Sequence, residues 1–403
     1  ERIEIVHTQE YANFLKYLFP AFKYILEKKI TVQIKQNVPE NRAMKIKNKI
    51  RFIILEIINR LPVNNVWFPY CEKILDLVMA VLPKENEANA LVCLKIIFEL
   101  HKANKNQNKM HVQAFLGFVK KLYWNLGATK LQSFQRATTR VETTVPCLYS
   151  FPVVTECPLI VMLLYQLHPM QIREQIRDLI PKMIAAIQLK VPPMTLQTSQ
   201  SKYQMRLLEM VACQVKTLSF LTYLLKSFAV SMKPQSKQIA EAVVYLFKVC
   251  PTSATAVRKE LFVATRHILA TDFRSSFFPF VNELLKEKVL LGSGRQSDTS
   301  LRPLAYSTIA DLVHHVRGKL KLKQISNIIY IFSRNIDDPM LPLSIQITSV
   351  RLLLNLVDNI YHNKEPDRMR GWNLLVRILN TLVNKFSTLK DDIPRIRAIE
   401  KAK

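Results

Sequence analysis

The feature that most constrains the fold is a helical pattern that recurs every 43 residues. In three copies a basic residue stands two positions before a leucine, and a threonine follows that leucine by four positions. The leucines are Leu218, Leu261 and Leu304, and the threonines are Thr222, Thr265 and Thr308. A period of about 40 to 47 residues is typical of HEAT repeats, in which each helix pair buries its apolar face against its neighbours.

A second type of helix is marked by proline. An apolar pair follows each of four prolines by five and six positions, and these prolines are Pro20, Pro69, Pro181 and Pro279. We call the first type, with a basic residue two positions before a leucine, the base-marked helix. The proline-marked helix generally precedes a base-marked helix, so the sequence predicts two helices in each repeat. Roughly eight or nine such pairs fit in a chain of 403 residues at this period.

Apolar residues recur at three- and four-residue steps in nearly every segment, which predicts helices. One apolar face of this kind, expected to be buried by stacking, comprises Ile50, Ile53, Ile54, Ile57 and Ile58. The 20 prolines fall mostly at segment edges or near helix starts, where a missing N–H is tolerated. We predict an all-α, HEAT-repeat-type α-solenoid of stacked antiparallel helix pairs. It is expected to cover residues 1–403 as a single array and to be a fragment of a much larger protein.

Two stretches depart from the helical pattern. Residues 127–157 are rich in threonine and proline, and residues 191–202 are polar and begin with a proline pair. Both are predicted to be long inter-helical loops. Since a structureless loop of 31 residues is unusual in a compact array, the first stretch could also conceal a missing segment.

The sequence contains no motif that supports catalysis. The one close glycine pair, Gly292 and Gly294, is followed by Arg-Gln-Ser instead of the Gly-Lys-Ser/Thr of a phosphate loop. Asp311 and His315 have the i, i+4 spacing of two metal ligands, but a zinc site usually needs four and no suitable others lie nearby. We therefore predict that the chain is not an enzyme and that it has no catalytic, cofactor-binding or metal-binding residues.

The six cysteines form no CxxC pair and lie mostly on apolar helical faces. Such cysteines are expected to be reduced core residues, which fits the cytosol or the nucleus. The longest apolar runs fall short of the ~18 residues that a membrane span needs, so the chain is expected to be soluble, with no membrane contact.

Charge is the remaining signal. The chain has 58 Lys and Arg against 31 Asp and Glu, a formal net charge of +27. A positive field over a long surface raises the rate of association with anionic partners, although any single cluster could be an ordinary solvated face. One basic cluster comprises Arg317, Lys319, Lys321 and Lys323. The candidate partner-binding residues are Lys45, Lys49, Arg51, Lys102 and Lys105.

Several stretches resemble the N-terminal HEAT region of the transformation/transcription domain-associated protein (TRRAP) family. The most specific match lies within residues 258–317, which include RKELFVATRHILATDFRSSFFPFVNELLKEKVLLGSG and LRPLAYSTIADLVHHVR. Further matches are KIRFIILEIINRLP at 49–62 and SIQITSVRLLLNLVDNI at 344–360. The resemblance implies part of a giant pseudokinase of the phosphatidylinositol 3-kinase-related family, with its kinase-like region outside this chain. It also implies a nuclear solenoid that docks transcription activators onto SAGA-type and NuA4/TIP60-type histone acetyltransferase complexes.

Charge and resemblance together favour a non-catalytic scaffold whose basic surface receives acidic activators. Activation domains commonly mix acidic and apolar residues, and an amphipathic helix can lie in a groove with apolar seams. The expected partners are acidic activators and other subunits of SAGA/NuA4-type complexes. The alternative is a basic solenoid that binds nucleic acid directly through phosphate neutralisation, and a cargo-carrying transport receptor ranks third.

Overall fold

The computed structural model describes residues 8–28, 42–62, 66–103, 109–138, 144–195, 199–292, 298–362 and 368–401. Within these ranges the chain is all-α and forms no β-strand, which confirms the predicted fold class. The chain divides into two compact units, Glu1–Ser231 (unit 1) and Met232–Lys403 (unit 2). The single array over residues 1–403 stays a prediction.

Unit 1 is built of nine helices in its described part. They are α1 (Thr8–Glu27), α2 (Arg42–Arg60), α3 (Phe68–Val81), α4 (Glu87–Ala103), α5 (Lys109–Trp124), α6 (Leu126–Arg136), α7 (Phe151–Leu167), α8 (Pro169–Ile187) and α9 (Gln200–Met232). Helices α1, α3, α5 and α8 contact one another in succession, and α2, α4 and α7 form a parallel succession. Two rows of helices, each contacting its own kind in the next pair, are the arrangement of helix-pair repeats.

Unit 2 repeats this organisation. Its helices are α10 (Ser236–Val249), α11 (Thr255–Leu269), α12 (Val281–Leu284), α13 (Glu287–Leu291), α14 (Asp298–Val316), α15 (Leu322–Ile336), α16 (Leu343–Tyr361) and α17 (Arg368–Lys401). Helices α11, α14 and α16 form one row, and α15 contacts α17 in the other. The base-marked repeat predicted from the sequence corresponds to α9, α11 and α14. Two of its threonines, Thr265 and Thr308, are buried, and each donates its hydroxyl to the carbonyl four residues earlier.

Three buried side chains satisfy the carbonyl groups that a helix leaves unpaired at its C-terminal end. Arg51 of α2 donates to the carbonyls of Ile25 and Leu26 at the end of α1. The Gln214 amide of α9 donates to three carbonyls at and beyond the end of α8. Arg258 of α11, 44 residues after Gln214, donates to carbonyls at the ends of α10 and α13. The pairs are therefore linked by polar contacts as well as by apolar burial.

The predicted loop at 127–157 is helical at both ends, and its residues 139–143 lie outside the described part of the chain. Its first part lies in α6, whose Thr129, Ser133 and Phe134 are buried, and its last part forms the 3-10 turn Cys147–Tyr149 and the start of α7. Helix α6 departs from the predicted loop because small and polar side chains such as Thr129 and Ser133 fill its buried positions, and packing overrides their modest helix propensity. In the second predicted loop, residues 191–195 are irregular and α9 begins at Gln200.

Most described prolines lie at helix starts or in connections, as predicted. Five lie inside α-helices, and they are Pro20, Pro158, Pro181, Pro303 and Pro394. Each removes one backbone N–H from its helix.

One segment, Gln200–Val249, is long and apolar enough by composition to cross a membrane, which the sequence reading did not anticipate. However, 61% of its most apolar window is buried within the protein. This degree of burial is the pattern of core helices, such as α9 with its buried Val211, Leu218 and Leu224.

Candidate docking surface

The first half of α2 combines positive charge with exposed apolar side chains. Lys45, Lys47 and Lys49 are all exposed, and no acidic residue occurs between Arg42 and Ile53. Basic residues at the start of a helix are opposed by the helix dipole, which favours negative charge there. Lys45, in the first turn of α2, therefore gains no stabilisation from the helix dipole.

Three isoleucines form a ridge among these lysines. Ile46, Ile50 and Ile53 are 52%, 44% and 48% exposed, and their spacing of four and three residues places them on one face of the helix. At about 100° per residue, Lys45 and Lys49 lie on one side of this face and Lys47 lies on the other. We call Ile46, Ile50, Ile53, Lys45 and Lys49 the α2 ridge.

Helix α1 runs antiparallel to α2 and contacts the side of α2 that carries Arg51. The Tyr11 hydroxyl donates to the carbonyl of Pro62 at 2.9 Å, and Arg51 reaches the carbonyl of Ile25 at 3.1 Å. The end of α1 therefore lies level with the middle of α2. Tyr24, in this last part of α1, is 66% exposed.

Arg51 does not belong to this surface, which corrects its selection from the sequence. Its side chain is buried against the fully buried carboxylate of Glu85, to which Nε donates at 2.8 Å. Asn89 donates to the other oxygen of Glu85 at 2.8 Å. A guanidinium held in this way cannot contact a partner without breaking the core, because an unpaired buried carboxylate is very unfavourable.

The remaining candidates do not form one cluster with the ridge. Asn89, near the start of α4, donates to the carbonyl of Asn48 at 3.4 Å, so that end of α4 lies beside Lys49. Lys102 is exposed but lies 13 residues further along α4, about 20 Å away at 1.5 Å per residue. Lys105 lies outside the described residues. Partner binding by Lys45, Lys49 and Lys102 stays a prediction.

The sequence reading missed the ridge because it assigned Ile50 and Ile53 to a buried face. In the structure Ile54 and Ile58 point inward and are 5% and 2% exposed, whereas Ile50 and Ile53 point outward. The signal that could have separated them is Ile46, which extends the outward face by one turn and lies between Lys45 and Lys47.

The possible metal pair has another role. Asp311 accepts a hydrogen bond from Arg266 at 2.8 Å, and burial lowers the pKa of His315, with further lowering from Arg274 and His314. No group of three or more potential metal ligands occurs in the part of the chain that the structure describes. Gly294 lies outside that part, while Gly292 ends α13.

Paired helices with a period of about 43 residues and buried side chains that cap neighbouring helices define an α-helical repeat protein of the HEAT type. Residues 206–403 match the family model described as the Tra1 HEAT repeat central region. This description places the matched region in the central part of Tra1, whereas the sequence resemblance pointed to an N-terminal region.

Curated relatives match almost the whole chain. The Probable transcription-associated protein 1 of Dictyostelium discoideum is 33% identical over 99% of this chain. The Transformation/transcription domain-associated protein of Homo sapiens is 34% identical over 96%. The SAGA complex/NuA4 acetyltransferase complex subunit Tra1 of Schizosaccharomyces pombe is 28% identical over 94%. The chain belongs to this TRRAP/Tra1 family of transcription-associated proteins, as the resemblance implied, and it spans 10% to 11% of the length of these relatives.

Proposed function

We propose that this chain is a non-catalytic scaffold segment of a nuclear, SAGA/NuA4-type histone acetyltransferase coactivator, and that its α2 ridge docks acidic transcription activators. Relatives that carry the names of SAGA and NuA4 subunits support the assignment to such a complex. The further partners of the segment are then other subunits of that complex. The recruitment of the complex to chromatin is the function that such docking serves.

The observation that carries activator docking is the combination found on α2. An exposed row of three isoleucines supplies an apolar seam about 10 Å long, from seven residues at 1.5 Å each. Lysines lie on both sides of the seam and have no acidic neighbour in the first half of the helix. An amphipathic helix with apolar residues at i, i+3 and i+7 and acidic residues beside them is complementary to both features.

Electrostatics determines how such a complex behaves. Exposed pairs are individually weak, at about 0.2–1 kcal/mol, so the lysines contribute mainly to the association rate and to the choice of an acidic partner. The isoleucines provide the apolar burial that holds the peptide. Binding should therefore weaken as salt rises, since the screening length is about 8 Å at 0.15 M salt.

The test is a titration of the 403-residue chain with a fluorescent peptide that is acidic and amphipathic. The charge variant is Lys45→Glu with Lys49→Glu, and the seam variant is Ile46→Ser with Ile50→Ser. Each should weaken binding roughly tenfold, which corresponds to about 1.4 kcal/mol. Arg51 stays intact in both, because its substitution would destabilise unit 1.

Two controls make this result specific. Lys319→Glu with Lys321→Glu makes the same change in net charge on a surface with no apolar seam, and it should leave peptide affinity within twofold. A peptide of the same composition with scrambled apolar spacing should bind less well than the amphipathic one. If the ridge instead packs against another helix of the longer protein, the ridge variants will bind the peptide as well as the unchanged chain does.

A further inference from the structure

A second basic surface, in unit 2, differs in character from the α2 ridge. It starts at the connection between α14 and α15 and continues along α15, with one residue added from α17. We call it the α15 face, and it comprises Arg317, Lys319, Lys321, Lys323, Asn327, Tyr330 and Arg377. All of these are exposed except Arg317, which is half-buried.

The backbone aligns the three lysines on one side. Leu320 and Lys321 are extended, with ψ of 137° and 154°, so that side chains alternate between the two sides. Leu320 and Leu322 point inward and are 5% and 2% exposed. The three lysines are exposed, and the Cα atoms of Lys319 and Lys321 lie roughly 6.6 Å apart at 3.3 Å per extended residue.

These positive charges are not neutralised by the carboxylates around them. Glu283 pairs with Lys248 and Lys286, and Asp311 pairs with Arg266. Among the described ion pairs of unit 2, none involves a base of the α15 face. Lys321 and Lys323 also stand at the start of α15, where the helix dipole disfavours positive charge. An anion placed there would relieve both kinds of repulsion.

The outward side of α15 extends this surface with polar residues. Lys323, Asn327, Tyr330 and Arg334 follow at steps of four, three and four residues, which places them on one face. The Tyr330 ring is 53% exposed and lies between Arg334 and Arg377, whose guanidinium carbons are 5.9 Å and 5.5 Å from its centroid. Arg334 pairs with Glu287. Of the two arginines beside Tyr330, Arg377 is therefore the one without an ion pair among the described contacts.

The composition of the α15 face identifies the kind of partner. Lys, Arg, Asn and Tyr are side chains that contact the phosphates and sugars of nucleic acids. None of the residues of the α15 face is aliphatic, in contrast to Ile46, Ile50 and Ile53 on α2, so an amphipathic acidic peptide would find charge on these residues without apolar burial. We infer that the α15 face binds the phosphate backbone of nucleic acid.

This function goes beyond activator docking and rests on different residues. Lys323 to Tyr330 spans about 10 Å at 1.5 Å per residue. Each strand of duplex DNA carries one phosphate per roughly 3.4 Å of axis. The helical part of the face therefore covers about three nucleotides of one strand, and Lys319 and Lys321 at the connection extend the contact.

The test is fluorescence anisotropy of a labelled 20-base-pair duplex with the 403-residue chain between 50 and 200 mM salt. The five basic side chains of the face are Arg317, Lys319, Lys321, Lys323 and Arg377. If each contacts a phosphate, the plot of log K against log salt will have a slope of about −4.5, from −0.9 per contact. The variant Lys319→Ala, Lys321→Ala, Lys323→Ala should bind at least tenfold more weakly at 100 mM salt. Its slope should be reduced by about 2.7.

The matched control is Lys45→Ala, Lys47→Ala, Lys49→Ala, which removes the same charge from unit 1 and should retain the slope and most of the affinity. Arg317→Gln with Arg377→Gln should reduce the slope independently, so a folding defect in one variant does not decide the question. Circular dichroism verifies that each variant keeps its helices.

Three outcomes overturn the assignment. Equal losses in the two lysine variants mean that only the overall charge matters, and an unchanged slope in the α15 variants means that the face makes no phosphate contact. Competition by a poly-glutamate peptide as effective as unlabelled duplex, lost with the same lysines, means that the face binds acidic protein instead. None of these results bears on peptide binding at the α2 ridge, which is measured separately.

Discussion

Burying Arg51 removes a positive charge from water, and the structure compensates for that cost with Glu85 and two carbonyl oxygens. Glu85 in turn accepts from Asn89, so both of its oxygens are satisfied. The group therefore connects three elements of unit 1, namely α1, α2 and the start of α4. This buried network is favourable because each of these polar groups has a partner. A partly satisfied buried network is less favourable than an apolar core.

Replacing Arg51 by Ala should be severely destabilising. Glu85 would remain buried without its cation, and the end of α1 would lose two donors, which together should lower the free energy of unfolding by about 3–5 kcal/mol. The measurement is the urea midpoint of the unit 1 transition. Lys49→Ala, two positions away and exposed, is the control and should change stability by less than about 0.5 kcal/mol.

The double substitution Arg51→Met with Glu85→Met separates the charge from the packing. It should recover much of the loss, since apolar replacement of a complete buried pair is often neutral. A double variant no more stable than Arg51→Ala would contradict this account.

Gly292 shows a different constraint, because its backbone is in the left-handed region with φ of 78°. A Cβ at this position would lie 2.2 Å from Cγ2 of Thr252. Gly292→Ala should therefore lower the thermal midpoint of unit 2, by the strain of about 1–2 kcal/mol for a left-handed residue plus the clash. Adding Thr252→Ser removes this methyl group, so it should restore only the part of the lost stability that the clash causes. Gly318→Ala, with nothing within 4 Å of its Cβ, should be nearly neutral.

Individual side chains were the least predictable level of this protein. Lys49 and Arg51 are neighbours in one basic cluster of the sequence, yet one is exposed and the other is buried. Only the position of Glu85, 34 residues away, separates their roles. Local sequence carries no information about that contact, so the selection of Arg51 as a surface residue was wrong.

At the scale of elements, periodicity predicted the helices well where one apolar face dominates. It failed on α2, which has apolar residues on two faces, because the 3.6-residue period cannot tell the face that packs on α4 from the face that is exposed. It also failed on α6, where polar and small residues fill buried positions such as Thr129 and Ser133. Both failures come from tertiary contacts that override local preference.

The capping of helix ends makes an element-scale prediction for Arg258. Its guanidinium lies 2.6 Å from the carbonyl oxygen of Leu290 and 2.7 Å from that of Cys250, and burial lowers its pKa. Arg258→Leu should leave these carbonyls unpaired, so amide hydrogen exchange should rise at the ends of α10 and α13. Exchange in α16, which accepts no hydrogen bond from Arg258 among the described contacts, should be unchanged.

Two variants of the same helix sharpen this measurement. Arg266→Leu removes an exposed base, whose side chain is 43% accessible, and should leave the ends of α10 and α13 protected. Arg258→Gln should keep part of the protection, because Gln214 performs the equivalent task at the end of α8. Uniform exchange across unit 2 in Arg258→Leu would mean global destabilisation instead of a local capping role.

At the scale of the whole molecule, the net charge of +27 separates into surfaces with different chemistry. The α2 ridge pairs lysines with an aliphatic seam, and the α15 face pairs lysines with Asn327 and Tyr330. Composition predicted a basic interaction surface, but only the structure distinguishes the two, because exposure depends on which helix faces are covered. Peptide and duplex binding should therefore respond to different substitutions, although both weaken with salt.

The six cysteines allow the integrity of the whole chain to be measured at once. All six are buried, and burial raises the pKa of Cys147 and Cys213 to about 12 and that of Cys250 to about 11. At pH 8 roughly one Cys250 thiol in a thousand is then ionised, against about a tenth or more for a free thiol. Since the thiolate is the reactive form, none of the six should react with a disulfide reagent in the folded chain, and all should react in guanidinium.

Alkali provides the test of the pKa values, with a defined sign. These thiols are neutral when folded and ionise more readily when unfolded, so their contribution to stability is present below about pH 9 and is lost as the pH rises toward 11. The urea midpoint should therefore fall between pH 8.5 and 10.5, and Cys213→Ala should reduce that fall in unit 1 while Cys250→Ala reduces it in unit 2. Mass spectrometry identifies which thiols have been labelled, and this assigns each loss of stability to unit 1 or unit 2. Rapid labelling of any cysteine at pH 8 without denaturant would show that its surroundings are open, contrary to the packing described for that unit.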